Sequence, residues 1–354
     1  MKRESMMRLE FTGEDQQMLT SKLFLASFLA ATIALAAVLF AAAPAAQAQS
    51  AVSASAQATY ASPDEALQAL VAAAKDKDRS ALAKLFGPDY DQLLSGDEVE
   101  DNKDLAEFAS AVQESAQLRK VNDNKYTITV GRDNWPTPVP LVQKDGKWLF
   151  DTKAGLDEVI NRRVGENELS AIATCRAFAV AEWEYYTEGD WDHDGVAEYA
   201  RKLISTPGKH DGLFWDSPEG ENPSPLGKLI AAASAEGYVS RQEASGAAGK
   251  GGSEKEQAPF GRAPYHGYYF KILTRQGPHA PGGKYGYIIN SNMIAGYALV
   301  AYPDKWGNSG VMTFIINQQG RVYQKNLGPN TAKLASAMTE YDPDPAWKLV
   351  EVQP

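Results

Sequence analysis

The run AGLDEVINRRVGENELSAIATCRAFAVAEWEYYTE, Ala154 to Glu188, decides how this chain is built. Leu156, Val159, Ile160, Leu169, Ile172, Ala173, Ala179, Val180 and Trp183 recur at intervals of three or four. That spacing puts apolar side chains on one face of an α-helix. Gly165 weakens the first third and is expected to bend or break it. Cys175 falls inside the run and reads as a small buried filler, since a reactive thiol needs a thiolate-favouring setting and only Arg176 is nearby.

Upstream, Ser62-Pro63-Asp64-Glu65 reads as a helix start, with Ser62 as cap, Pro63 at the first helical position and Glu65 closing a capping box. Further short helices are expected at Ser80–Phe86 and Asp104–Gln117. The period then changes. Lys125–Val130 alternates as a half-buried strand does, and Val139–Gln143 and Lys147–Phe150 flank the turn pair Asp145-Gly146. Helices followed by a small curved antiparallel sheet suggest a cone-like α+β domain over residues 61–153, analogous to nuclear transport factor and ketosteroid isomerase. That analogy carries no function.

Downstream, helices are expected at Val196–Ile204 and Pro225–Ala235. A Gly/Ser/Lys/Glu-rich mobile loop follows at 244–259. Gly267–Leu273, Ala298–Ala301, Val311–Ile316 and Arg321–Gln324 then read as a meander of short strands. The fold class is therefore α+β. A cone-like domain precedes a long helix laid on an antiparallel meander (154–354), an arrangement like the headpiece of pilins. A true pilin keeps an uncut apolar helix at its mature N-terminus, whereas this helix is internal and amphipathic.

The N-terminus carries an export signal. Lys22 forms a short basic region, Leu23–Ala43 is almost wholly apolar, and Ala46-Gln47-Ala48 places small residues where a signal peptidase reads. Cleavage is expected after Ala48, making 1–48 a signal peptide and 49–60 a flexible leader. The alternative is a retained anchor, because the apolar run is long enough to span a bilayer. No later run approaches that length, so the mature chain has no expected membrane span. The expected location is the periplasm.

The chain has 354 residues, 44% of them hydrophobic, and one Cys. That is enough apolar material for a sizeable core, and it excludes a disulfide scaffold or a multi-Cys metal cage. The formal net charge of -10 argues against nucleic acid and anionic membrane as partners. Removing residues 1–48 takes away equal numbers of acids and bases and leaves that balance unchanged.

The best candidate site is Asp190-Trp-Asp-His-Asp-Gly195, with Glu198 beyond it. Oxygen ligands at alternate positions, then Gly for a sharp turn, match the first half of a calcium loop. Asp190, Asp192, Asp194 and Glu198 are the candidate Ca²⁺ ligands. The closing glutamate of such a loop is replaced by Arg201, and the competing reading is an acidic capped turn. A bound ion would stabilise the turn without catalysing.

Other patterns are weaker. His193, His210, His266 and His279 show no zinc-protease spacing. Gly307-Asn-Ser-Gly310 lacks a nucleophile's context and reads as a turn between strands. Gly246–Gly252 misses the phosphate-loop spacing. Asp157, Glu158, Glu166 and Glu168 read as a solvated helix face. Tyr265, Tyr268, Tyr269, Tyr285, Tyr287, Tyr297 and Tyr302 are either core or a surface that stacks on a sugar or peptide. Asn161-Arg162-Arg163 is either a hub between domains or an anion site.

Four blocks are distinctive together: Asp145–Gly155 (DGKWLFDTKAG), Asn161–Ala171 (NRRVGENELSA), Tyr265–Gly277 (YHGYYFKILTRQG) and Gly310–Asn317 (GVMTFIIN). Over about Ser62 to Trp347 the chain resembles the secreted bacterial domain-of-unknown-function family 2950. The resemblance implies export from a Gram-negative bacterium and carries no assigned catalytic residues. The resulting expectation is an exported envelope protein, non-enzymatic, that binds an envelope protein, a peptide or a glycan. Two rival readings are an enzyme with a tyrosine and carboxylate acid/base pocket in the cone-like domain, and a pilin-like assembly component.

Overall fold

The computed structural model describes residues 57–189, 191, 195–217, 223–238 and 264–351. The proposed signal peptide, most of the leader, the 244–259 loop and Asp190, Asp192 and Asp194 lie outside these residues. Residues 54–354 form one compact unit. Within it, helices and antiparallel sheets build an α+β fold with two clusters of buried side chains, one from Ala66 to Phe150 and one from Ala171 to Trp347.

The first lobe opens with α1 (Pro63–Lys75). Ser62 accepts from the Glu65 N–H at 3.1 Å, and the Glu65 carboxylate reaches back to the Ala61 N–H at 2.8 Å. One orphan donor of the first turn and the N–H just ahead of the cap are thus met by side chains. Helices α2 (Arg79–Phe86) and α3 (Tyr90–Leu93) follow. Helix α4 runs Glu98–Glu114, earlier at both ends than the expected Asp104–Gln117. Its start is set by Asp97, whose Oδ1 accepts from Val99 and Glu100 N–H. At its far end the chain turns into strand β1 (Ala116–Asn122), which pairs antiparallel with β2 (Lys125–Val130). The sheet order is β1-β2-β4-β5, with β3 (Trp135–Pro136) also on β2; β4 is Leu141–Lys144 and β5 Lys147–Phe150. Asp145 and Gly146 both take positive φ, as the tight hairpin between β4 and β5 requires.

Helix α5 (Thr152–Glu188) is unbroken over 37 residues, correcting the expected bend at Gly165. Arg163 and Asn167 on either side of Gly165 are buried and clamp that stretch. Residues 196–204 are not the expected helix. Their backbone donors go elsewhere: Tyr199 N–H to the Met293 carbonyl at 2.8 Å, and Ala200 N–H to Glu182 Oε2 at 2.9 Å. Helix α6 follows at Gly227–Glu236.

The second sheet has the order β14-β13-β12-β11-β6, all antiparallel, from β6 (Tyr268–Leu273), β11 (Ala298–Pro303), β12 (Met312–Asn317), β13 (Tyr323–Asn326) and β14 (Lys348–Leu349). Strand β11 is buried along its whole length, with helix α7 (Thr331–Ser336) packed near it. Between β6 and β11 lie two small ribbons: β7 (Arg275–Gln276) with β8 (Tyr285–Gly286), and β9 (Ile288–Ile289) with β10 (Asn292–Met293). No described helix is long and apolar enough to cross a membrane.

Candidate functional site

The two lobes meet at Arg163, on the first half of α5. Its side chain is 5% exposed. The guanidinium donates to the Leu93 carbonyl at the end of α3 and, at 2.7 Å, to Asn308 Oδ1 in the β11–β12 loop. Asn308 in turn donates to the Ser95 carbonyl at 3.3 Å. One turn along α5, Asn167 donates to the Ser309 carbonyl at 3.1 Å, and Glu168 Oε1 accepts both Val311 and Met312 N–H at 2.9 Å. The Gly307–Gly310 loop is therefore a latch held by the helix as well as a turn. Gly310 is required there, because a Cβ would sit inside the Tyr268 phenol. Of the two readings of Asn161-Arg162-Arg163, the hub describes Arg163. Arg162 pairs with Glu158 at 2.7 Å and lies over the Trp135 ring.

An acidic cleft opens beside this hub. Asp97, Glu98, Glu100, Asp101, Asp104 and Glu107 are six acids in eleven residues of one segment. Glu100 and Asp104 stand one helical turn apart on α4, with Glu166 on α5 in electrostatic reach of Asp104. Glu100 is 7% exposed, and its carboxyl makes no hydrogen bond with any described residue. Burial, then the charges of Asp104 and Asp97, push its pKa up to about 8 against the opposing pull of Arg163. Asp104 keeps one side open to water. Crowding on its other side, then Glu166 and Glu107, raise it to about 6. Glu166, also open on one side, is raised mainly by desolvation. Arg163 Nε and Asp97 Oδ2 are buried without partners.

The end of helix α6 approaches the start of α4, with Gly237 beside Val99. Glu236 Oε2 pairs with His266 Nε2 at 3.0 Å, and Tyr238 packs against His266 and Tyr265. Burial works to raise the Glu236 carboxyl, but the hydrogen bond and charge of His266 outweigh it and hold it low. The Tyr238 hydroxyl is buried near Asp97 Oδ2 without completing a hydrogen bond of normal geometry, and burial with the charges of Asp97 and Glu100 raises the phenol. His266 and Gly267 take positive φ in the tight turn between Tyr265 and Tyr268, which hydrogen-bond each other at 3.0 Å. This fixes the imidazole toward Glu236. A hollow of about 160 Å³ lies beside α4, lined by Arg79, Tyr90, Leu93, Asp101, Asp104 and Phe108.

The calcium candidates are divided. Asp190, Asp192 and Asp194 are outside the described residues. Glu198 is half-buried, and its Oε2 accepts the Met293 N–H at 2.9 Å. Among the described residues no group of three or more His, Cys, Asp or Glu is placed to hold a metal ion. Nearby, Glu182 is fully buried. Its Oε1 has no partner, and burial raises its pKa well above the ordinary range. Sequence reasoning missed Glu100, Asp104, Glu182 and the Glu236–His266 pair. Two acids spaced i, i+4 repel on a helix, so Glu100 and Asp104 were the readable warning.

Glu168 corrects the solvated-face reading, since it binds two backbone donors. The tyrosines are mostly core: Tyr265, Tyr268, Tyr287, Tyr297 and Tyr302 are buried, Tyr269 is half-buried and Tyr285 is exposed. Cys175 is fully buried, and desolvation pushes its thiol up to about 12.

No curated protein and no solved structure matches this chain. A family model does, over residues 57–350: the chain belongs to the family described as "Protein of unknown function (DUF2950)".

Proposed function

We propose that this chain is an exported, non-enzymatic binding or accessory module of the bacterial cell envelope, and that its acidic cleft receives a positively charged group. The observation that carries the reading is Glu100. The Glu100 residue is 7% exposed and stands beside two further acids, so its charge is costly unless a proton or an incoming cation offsets it. Arg163 offsets part of that charge and is itself committed to Leu93 and Asn308. In this reading the chain leaves the cytoplasm with residues 1–48 removed after Ala48. Its first lobe is the cone-like module, and its second resembles a pilin headpiece. Asp190, Asp192, Asp194 and Glu198 hold a structural Ca²⁺ near the end of α5.

One set of melts tests both cation claims. The chain is melted with EDTA, with excess Ca²⁺, and with spermidine as an organic polycation. Asp192→Ala and Asp104→Asn serve as site variants. A ligand at 100 times its dissociation constant stabilises by about 2.7 kcal/mol, an easily read shift. The expected result is a Ca²⁺-dependent rise lost in Asp192→Ala and a spermidine-dependent rise lost in Asp104→Asn. No shift with either cation sinks the reading.

A further inference from the structure

A second hollow, remote in character from the acidic cleft, lies on the β7–β8 ribbon. It measures about 300 Å³ and is lined by Thr274, Arg275, Gln276, Lys284, Tyr285 and Ile288, with Gly286. That volume is at the lower end of the roughly 300–1,000 Å³ of sites that enclose small molecules. Two cations lining one hollow stand out in a chain of net charge -10. Lys284 is paired with Glu340 at 3.2 Å. Arg275 is exposed, and its guanidinium makes no hydrogen bond or ion pair with any described residue.

The walls are held in place. Gln276, fully buried, donates to the Pro281 and Gly283 carbonyls at 2.7 and 2.8 Å and accepts from the Tyr287 hydroxyl at 3.1 Å. The Tyr285 ring meets the Tyr287 ring edge-on at 5.7 Å. Beyond the hollow, the β9–β10 hairpin turns through Asn290 and Ser291, both at positive φ, and leaves Ile288 40%, Ile289 45% and Ile294 39% exposed. Three exposed isoleucines within seven residues form an apolar tip. A planar guanidinium with free donors matches a carboxylate or phosphate bidentately, and the tip beside it suits a hydrocarbon tail.

We infer that this hollow binds a single amphiphilic anion: a carboxylate or phosphate head on Arg275, with an alkyl chain along Tyr285 and the Ile288–Ile294 tip. The chain's overall negative charge opposes approach to an anionic bilayer, so a monomeric ligand is the occupant the electrostatics favour. This inference is independent of the acidic cleft.

The test is calorimetric titration of the full chain with decanoate below its micelle concentration. Decanol and decyltrimethylammonium are the uncharged and charge-inverted controls, and phosphatidylglycerol vesicles form a separate arm. Two variants read the site. Arg275→Gln removes the charge from an exposed position. Gly286→Trp fills the hollow from a backbone where a Cβ meets nothing within 4 Å and φ is not left-handed. One decanoate per chain is expected, bound at least tenfold more weakly by each variant, with both controls far weaker. Decanol binding as tightly as decanoate, or unchanged affinity in both variants, overturns the inference. Binding to vesicles without binding to decanoate overturns it in favour of bilayer docking.

Discussion

The two halves of helix α5 do opposite jobs with the same backbone. From Arg163 to Glu168 the helix presents polar groups inward and ties down the β11–β12 loop through side chain to backbone bonds. From Ala171 to Tyr185 it presents Cys175, Phe178 and Ala181 to the second core, and one of the two acids there, Glu182, is completely enclosed. The first half joins two lobes by directional bonds, and the second joins a helix to a sheet by area. Each half also borders or holds an acid raised by burial: Glu100 on α4 beside the first half, and Glu182 within the second. Glu100 faces Arg163 and other charged groups at the junction, whereas Glu182 is walled by aromatic rings such as Tyr199 and Tyr297. Polar complementarity at a junction therefore depends on charge in a way the aromatic core does not.

Removing Arg163 is the strongest way to break this comparison. Arg163→Ala strips the Leu93 carbonyl and Asn308 of their charged donor. Hydrogen bonds to a charged group are worth about 1.5–3 kcal/mol each. A drop near 3 kcal/mol in urea unfolding is expected. Glu182→Gln is the matched change in the other half. Burial pushes the Glu182 carboxyl well above its ordinary range, and Gln keeps an acceptor for the Ala200 N–H, so a loss below about 1 kcal/mol is expected. Equal losses from the two changes would erase the distinction between the halves.

Glu168→Ala sharpens the comparison within the polar half. It orphans two backbone N–H groups where β12 begins. Bonds to charged groups are worth about 1.5–3 kcal/mol each, and partial access of water to this half-buried site reduces that, so a loss of about 2 kcal/mol is expected. Glu168→Gln keeps an acceptor and should recover part of it. A melt unchanged by Glu168→Ala would reduce the latch to a packing contact.

What could be read in advance divides along the same line. Local signals were legible: the Ser62–Glu65 cap, the Asp145-Gly146 turn and the period of α5 are each complete within a few residues or one face. The β1 strand was not, because it lies at the sheet edge, where alternation lasts only from Ala116 to Arg119 and the remaining side chains are exposed. Residues 196–204 carried a helical pattern, but their donors bind Met293 and Glu182, far away in sequence. The candidate cleft was illegible for the same reason. Arg163 and Asn308 are 145 positions apart, and His266 reaches Glu236 only after the whole 239–263 segment. A pairing made by folding leaves no spacing to detect.

The last expected effect is a slope, and it separates proton binding from mere burial at the junction. Glu100 has a folded-state pKa of about 8 against an ordinary 4.5, so between those values the folded chain holds a proton that the unfolded chain has released. Its contribution is complete below pH 4.5 and is lost as pH rises toward 8. Stability should therefore fall with rising pH by about 1.4 kcal/mol per unit for this one proton. Glu182, also raised, adds a term of the same sign, so the test is the difference between wild type and Glu100→Gln across pH 5.5 to 7.5. The variant should be flatter by nearly one proton's worth while leaving the Glu182 term intact. Parallel curves would mean that Glu100 is already ionised at neutral pH, with Arg163 outweighing its burial, and that the cleft reaches an incoming cation as a carboxylate with no proton to displace.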